Sequence, residues 1–456
     1  MKQGSEKNPL NSEDNEYEVN EAPSVTGRGF VLAMALTFIA TVSATLGATV
    51  ALVSPLSPLV AMLTQKGEVL LADSAPKTQD LSWADNLQYE LSRPVNILIM
   101  GIDRVLDAPK NSAAIFSGRS DTMLLVRFDP RDNSVRMLSI PRDTRVDNMG
   151  LKIPKINEAN TQGGAALAAR VVSKTLNNVP IDRYVRVDPD AFRELVDLVG
   201  GVEVFVPYDM FYVDATQKLE INLQQGWQTL NGIQAEQFSR YRDAENGDIG
   251  RVQRQQALLK ALRERVQSPT VIAHIPQAVR LMQQYVDTNL SLEETLALVG
   301  FCLQLERNDF KMVLLPGRFS EAYEYNLSYW LVSDEGRNHV MSQYFEQEPV
   351  GIALARGNQP ETSRVRIAIQ NATSEEGLAT RVASYLEANE FYNFYFVQDS
   401  PRNLRQTEII AQQGDLETAA ILKKVLGLGV VEADSTGDLK SDLTIRIGTD
   451  WLEKEF

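Results

Sequence analysis

The runs VNILIM (95–100), MLLVRF (123–128) and VRMLSI (135–140) decide the fold of this chain. Short apolar runs bounded by turn residues read as strands with buried faces. The second and third flank DPRDNS (129–134), whose proline, asparagine and serine punctuate a turn, so the pair is a predicted hairpin. Strand ends therefore converge on residues 101–103 and 141–143.

Downstream, helical patterns at 164–176, 190–199, 233–239 and 250–266 alternate with strand-like runs at 185–187 and 202–206. Such alternation predicts a layered α/β/α domain around a central mixed sheet. A helical region is expected from about 270 to 304, with the capping-box pattern Ser291-x-x-Glu294, followed by a strand at 312–315 and a helix at 331–345. The loop-like stretch EQEPVGIALARGNQPET (346–362) then separates a smaller α/β unit. Its expected order is strand 365–369, helix 378–388, strands near 394–397 and at 407–410, helix 417–425 and strand 443–447.

Upstream, residues 30–53 read FVLAMALTFIATVSATLGATVALV, without a charge. At ~1.5 Å per residue this spans a hydrocarbon core of ~30 Å. The long acidic leader favours an uncleaved anchor over a signal peptide. Arg28 before the segment and Lys66 beyond it give a small positive-inside bias toward a cytoplasmic N-terminus. The expected organisation is an acidic cytoplasmic tail (1–28), a single transmembrane helix (29–53), a linker (54–92) with an amphipathic stretch near 83–91, a first domain (93–345), a second linker (346–362) and a C-terminal domain (363–456). Both domains are expected outside the cytoplasmic membrane, on its periplasmic or extracellular face.

A chain of 456 residues with 44% apolar content exceeds one ordinary domain. Its net charge of −15 argues against nucleic acid as the main partner, so any anion site must be local. The single cysteine, Cys302, cannot close an intramolecular disulfide and is expected in an apolar helix. His274 and His339 stand in separate contexts, which speaks against a histidine metal site or a Ser-His-Asp triad. Carboxylates, arginines or a bound cation must carry any chemistry.

Four segments place charges where strand or helix ends should lie: Gly101-Ile102-Asp103-Arg104, Arg119-Ser120-Asp121-Thr122, Pro141-Arg142-Asp143 and Ser239-Arg240-Tyr241-Arg242. Any one alone is as readily a surface ion pair worth at most about 1 kcal/mol. Together they fall at strand carboxyl ends, where α/β sheets bind ligands. There Asp103 and Asp121 can share magnesium, a hard ion that takes one or two protein carboxylates plus water and phosphate oxygens, or each can simply cap a turn. If 240–242 is extended, Arg240 and Arg242 reach one anion; on a continuous helix they diverge. Asp248 suits an N-cap. Arg251, Arg254 and Gln255 share a face of the helix that follows, suited to phosphate oxygens or to solvent.

In this order, NILIMGIDR (96–104), GRSDTMLLVRFDP (118–130), LSIPRDTRV (138–146), KINEAN (155–160), DRYVRVD (182–188), LVDLVGGVEVFVP (195–207) and SRYRDAENGDIGRVQRQQALLKAL (239–262) resemble the LytR-CpsA-Psr family of cell-envelope proteins. VRIAIQNAT (365–373), GLATRVASYL (377–386) and SDLTIRIG (441–448) resemble the C-terminal domain of some members, with NATSEEG (371–377) replacing the usual glycine-rich turn. The resemblance implies a magnesium-dependent phosphotransferase that moves a glycopolymer from a polyprenyl diphosphate carrier to peptidoglycan. By motif position, Asp103 and Asp121 would hold magnesium, and Arg119, Arg142, Arg240, Arg242, Arg251 and Gln255 would contact the diphosphate, with Arg254 beside them. Asp248 would orient the arginines, and Asp143 is the candidate general base. Lys155 and Asn157 are structural or close the site. The polyprenyl tail needs an apolar cleft, for which runs 165–176 and 192–199 are either lining or ordinary core.

Two other classes are weighed against the enzyme. A non-catalytic envelope module would bind polyprenyl phosphate or glycan without turnover. A membrane-bound transcriptional regulator would need a helix-turn-helix or a basic surface, and the short acidic tail has neither.

Overall fold

The computed structural model describes residues 89–454 apart from 104, 106–107, 110–111, 215–218, 243–246, 267–285, 303, 307–308 and 351–364. The acidic tail, the apolar segment 30–53, most of the first linker and most of the second lie outside the described residues. Among the described residues no helix is long and apolar enough to cross a membrane.

Strand β1 (Val95–Ile102) pairs antiparallel with β2 (Ser120–Asp129), which turns through Asn133 (φ 50°) into antiparallel β3 (Ser134–Ser139). Helix α1 (Glu158–Thr175) returns the chain to β4 (Arg183–Val187), parallel to β1. After α2 (Pro189–Leu198) come two hairpin-like excursions, β5 (Val202–Val206) with β8 (Gly226–Leu230), enclosing β6 (Met210–Asp214) with β7 (Leu219–Leu223). Helices α3 (Gly232–Arg240) and α4 (Gly247–Val266) follow, then β9 (Val286–Thr288), α5 (Leu292–Cys302) and β10 (Phe310–Leu314). Short antiparallel strands β11 (Gly317–Phe319) and β12 (Trp330–Val332) precede α6 (Asp334–Phe345). The resulting six-stranded sheet has the mixed order β10-β3-β2-β1-β4-β9.

Alternation along these strands splits the core into two layers. Leu98, Met100, Met123, Leu125, Leu138 and Val313 pack against α1 and α6. Ile97, Leu124, Val126, Phe128, Val135 and Met312 turn to the other face, against α5 and Leu259 of α4. The predicted α/β/α layering and mixed sheet are thus present.

Several boundaries differ from expectation for local reasons. Helix α1 begins at Glu158 and is interrupted at Gly163 and Gly164, whose φ of 62° suits glycine, so the predicted 164–176 is only its second limb. The expected helical region 270–304 contains β9, which pairs with β4; α5 starts at Leu292 behind the predicted Ser291–Glu294 capping box. Residues 331–332 belong to β12, and Ser333 caps α6 by accepting from Gly336 N. Helix α4 begins at Gly247, which puts Asp248 inside its first turn and not at its cap.

The C-terminal unit is β13 (Ile367–Asn371), α7 (Leu378–Ala388), β14 (Phe394–Phe396), β15 (Glu408–Ile410), α8 (Leu416–Leu426), β16 (Val430–Glu432) and β17 (Leu443–Ile447), in sheet order β14-β13-β17-β15-β16. Strand β16 is one more than the sequence suggested. In the unusual turn after β13, the Asn371 side chain accepts from Thr373 N and Oγ1 and donates to Glu375 O. A side chain there does work that extra glycines would otherwise do. Loops of this unit also close the free edge of β10: Met312 N donates to Ala433 O (3.1 Å) and Leu314 N to Gln412 O (2.8 Å).

Leu138 is fully buried in the layer shared by the sheet, α1 and α6. Leu138→Ala should cost ~2–5 kcal/mol of unfolding free energy, read as a lowered denaturation midpoint.

Candidate functional site

The site starts from a register shift. Gly101 pairs with Thr122 but Ile102 pairs with Ser120, which leaves Asp121 as the extra residue of a β-bulge. In a regular strand Asp121 would share the inner face of Met123 and Leu125. The bulge turns it instead to the opposite face, where it lines a cavity with Thr122 and Asp103. Asp103 N donates to Arg119 O at 2.7 Å, so the end of β1 and the start of β2 are locked together. Gly118 allows this closeness, because a Cβ there would lie 2.3 Å from the Asp103 carbonyl oxygen.

The cavity measures about 690 Å³ and runs between the sheet and the helices of one face. Its body is apolar: Ile99, Leu124, Val126, Met137 and Val185 from the sheet, Phe192 and Leu195 from α2, Leu258, Leu259 and Leu262 from α4, and Tyr212 and Leu219 from the β6–β7 hairpin. Of the two runs proposed to line an apolar cleft, α2 does so. The run 165–176 does not, because α1 packs Ala165, Ala168, Val171 and Val172 on the other side of the sheet.

The polar part of the lining gathers Asp103, Arg119, Asp121, Arg142, Arg240, Arg242, Arg251 and Gln255, close to the carboxyl ends of β1, β3 and β4. Arg142 Nη1 donates to Asp121 Oδ1 at 2.6 Å. Arg119, half-exposed, donates from Nε to the buried Glu158 (3.1 Å). Arg240 ends α3 and Tyr241 is extended (φ −57°, ψ 140°), so the helix stops in time for Arg240 and Arg242 to share the cavity. Arg240 Nη1 is 3.2 Å from Glu236 Oε1, and its Nη2 is 3.8 Å from Asp103 Oδ1.

Asp143 lies behind this array and does not line the cavity. Its buried carboxylate is met by Lys155 Nζ (2.7 Å), Arg251 Nη2 (2.7 Å) and Arg142 Nε (3.4 Å). Burial alone would raise its pKa, but Arg142, Arg251 and Lys155 outweigh that and hold it below the ordinary value. A carboxylate engaged by three cations and set off the cavity lining is poorly placed to take a proton from a group bound there, the role expected of it from the sequence. It positions Arg142 and Arg251 instead, and Lys155 is its structural counter-ion.

Arg254 likewise stands away from the lining. It is buried outside the cavity lining, donates to the Tyr241 carbonyl and lies 5.3 Å from the Tyr241 ring, so it fixes the turn between Arg240 and Arg242. The side chain of Asp248 lies outside the described residues. Asn157 contributes through its backbone, accepting from Ser120 N and donating to Arg142 O. Two carboxylates were missed: Glu158, within the KINEAN motif, and Glu236. The spacing of Glu236 and Arg240 at i and i+4 was a usable signal.

Asp103 and Asp121 bring two carboxylates to one wall beside five cavity-lining arginines, Arg119, Arg142, Arg240, Arg242 and Arg251. Among the described residues no group of three or more histidine, cysteine or acidic side chains forms a metal cage. A pair of carboxylates next to an anion site nevertheless suits magnesium, which draws its remaining ligands from water and phosphate. Cys302 lines the apolar part, and burial pushes its thiol up to about 12, so it is inert as a nucleophile.

The sequence profile described as the LytR_cpsA_psr family matches residues 64–345, and that described as LytR cell envelope-related transcriptional attenuator matches 364–451. The polyisoprenyl-teichoic acid–peptidoglycan teichoic acid transferase TagV of Bacillus subtilis is 39% identical over 223 residues, 47% of this chain and 55% of that protein. TagU of Oceanobacillus iheyensis, likewise named a polyisoprenyl-teichoic acid–peptidoglycan teichoic acid transferase, is 32% identical over 265 residues, 57% of this chain and 77% of its own. The match to TagV thus spans only about half the length of that relative. Among solved structures, B. subtilis TagV superposes with a TM-score of 0.46 at 30% identity, covering 57% of this chain and 100% of that one.

Asp143→Asn leaves Arg251 and Lys155 facing a neutral amide. Breaking a buried pair this way costs about 3–5 kcal/mol. Because the folded pKa of Asp143 is depressed, its stabilising contribution is complete above the unfolded value and is lost as pH falls through the folded one. The wild type should therefore lose this contribution in acid below the usual carboxylate range, and denaturation midpoints against pH should converge for wild type and Asp143→Asn there.

Proposed function

The chain belongs to the LytR_cpsA_psr family, and from that membership and the cavity we propose a membrane-anchored phosphotransferase that moves a glycopolymer from a polyprenyl diphosphate carrier onto peptidoglycan. The observation that carries this reading is a single cavity with an apolar body and an arginine-rich mouth. That polarity fits an amphiphile with a long hydrocarbon tail and a diphosphate head. The teichoic acid transferase activity for which the relatives are named agrees with it. The uncharged segment 30–53 supports a single-pass anchor with its N-terminus in the cytoplasm, so that both domains face the peptidoglycan.

In this reading the donor's tail occupies the space between Leu124, Val126, Phe192 and Leu258, and its diphosphate meets Arg119, Arg142, Arg240 and Arg242. Each buried CH₂ contributes ~0.8 kcal/mol, so the tail supplies affinity and leaves the arginines to act on the reacting charge. An acceptor hydroxyl attacks the phosphorus that bears the glycan. A new phosphodiester P–O bond forms, the bond to polyprenyl phosphate breaks with its electron pair leaving on that phosphate, and the hydroxyl proton passes to solvent. The guanidinium groups neutralise charge on the transferring phosphoryl oxygens and hold them in line, which is most of what a loose phosphoryl-transfer transition state requires. Magnesium held by Asp103 and Asp121 would add charge neutralisation at the same oxygens. Asp143 keeps Arg142 and Arg251 in place throughout.

The test is turnover with a lipid-diphosphate glycan donor and a peptidoglycan acceptor. Transfer should appear with Mg²⁺, vanish with EDTA and return on Mg²⁺ readdition. Asp121→Asn should weaken the Mg²⁺ dependence, measured as a higher half-maximal concentration. Arg242→Ala should lower kcat/KM roughly 10- to 100-fold, as expected for a lost charge-assisted contact. Tight donor binding that needs Arg242, with no transfer under any metal condition, would instead identify a binding module.

A further inference from the structure

Helix α4 carries two stripes. Arg251, Gln255, Leu258 and Leu262, three or four residues apart, face the cavity. Val252, Gln256 and Lys260, each four residues on, face the C-terminal unit. Val252 packs in a cluster with Leu439, Leu314 and Trp330. Gln256 is buried: its Nε2 donates to Ser139 Oγ of β3 at 2.7 Å, and its Oε1 accepts from Ser435 Oγ. Lys260 Nζ stands 3.2 Å from Oδ2 of the buried Asp434. Ala433, next in the same loop, accepts from Met312 N on the edge of β10. One short loop, 433–435, is therefore tied both to the sheet edge and to the helix that carries Arg251 and Gln255.

We propose that the C-terminal domain is a clamp on α4, and that Gln256 and Lys260 are positioning residues that set the rotation and depth of Arg251, Gln255 and the cavity leucines. Apolar contact alone tolerates small rotations of a helix. A buried amide bonded on both sides, with an ion pair one turn further on, does not, because any rotation strands a buried polar group. The Arg251–Asp143 pair fixes the other end of the contacting length. Donor contacts by this helix rest on the functional reading above; the mechanical coupling does not. Because Asp143 holds Arg251 independently, loosening the clamp moves mainly Gln255 and the leucines, which affects donor binding more than the chemical step.

The experiment uses the full chain in detergent micelles, with Asp434→Lys, Lys260→Asp and the charge-swapped double variant. Hydrogen–deuterium exchange is followed over 247–266, alongside donor KM and kcat. Each single variant should speed exchange in that segment and raise donor KM about 3- to 10-fold with kcat nearly unchanged, and the double variant should recover both. Ser435→Ala, a milder change, should loosen the same segment. Exchange at wild-type rates in the single variants, loosening without a change in donor KM, or a double variant no better than the singles would each overturn the clamp. If the wild-type chain binds no lipid diphosphate, the functional reading fails, and the exchange data with the charge swap decide the clamp alone.

Discussion

The buried carboxylate of Asp143 is the point on which the site depends. A desolvated charge of this kind is tolerated only with partners, and its partners come from separate parts of the chain: Arg142 beside it in the turn after β3, Lys155 before α1, and Arg251 on α4. Its backbone oxygen also accepts from Trp330 N, which draws in β12. Four segments are thereby placed relative to one another by one residue. Asp143 carries one charge against three, so pairing with it alone does not neutralise the cations it holds.

That array explains how a chain with a net charge of −15 can present an anion site. The arginines are concentrated at one end of a mostly apolar cavity, where surrounding low-dielectric walls strengthen their field locally. Carboxylates are then used to aim them: Glu158 for Arg119, Glu236 for Arg240, Asp121 for Arg142. Asp103, Asp121, Asp188 and Glu236 line the cavity beside the arginines, whereas Glu158 acts from outside its lining. The same sheet face that ends in this charge continues as a wall of aliphatic side chains, so one alternating strand pattern serves both halves of an amphiphilic ligand.

Much of this was legible in the sequence. The hairpin around DPRDNS, the strand run at 95–100 and the helices after 189 and 232 follow from apolar periodicity, and the convergence of Asp103, Arg119, Asp121 and Arg142 follows from where strands end. The bulge at Asp121 was not legible, since a one-residue register shift leaves no trace in composition. Nor was the choice between α1 and α2 as cavity wall, because both are amphipathic and only the side of the sheet on which each packs separates them. That Arg254 and Asp143 stand outside the cavity lining was not legible for a related reason. Charge and spacing say that a side chain is near a site, not whether it faces the ligand or the residues behind it.

The covered edge of β10 has a consequence for how the chain is made. Strand β10 is translated well before Gln412 and Ala433, whose carbonyls satisfy its outward amides. At synthesis rates of ~5–20 residues per second, the nascent sheet therefore waits on the order of ten seconds with an open hydrogen-bonding edge, the kind of surface that templates pairing between chains. Newly made copies crowded at one place are most exposed to cross-pairing in that interval, and release from it comes when the unit that carries Gln412 and Ala433 has emerged and folded.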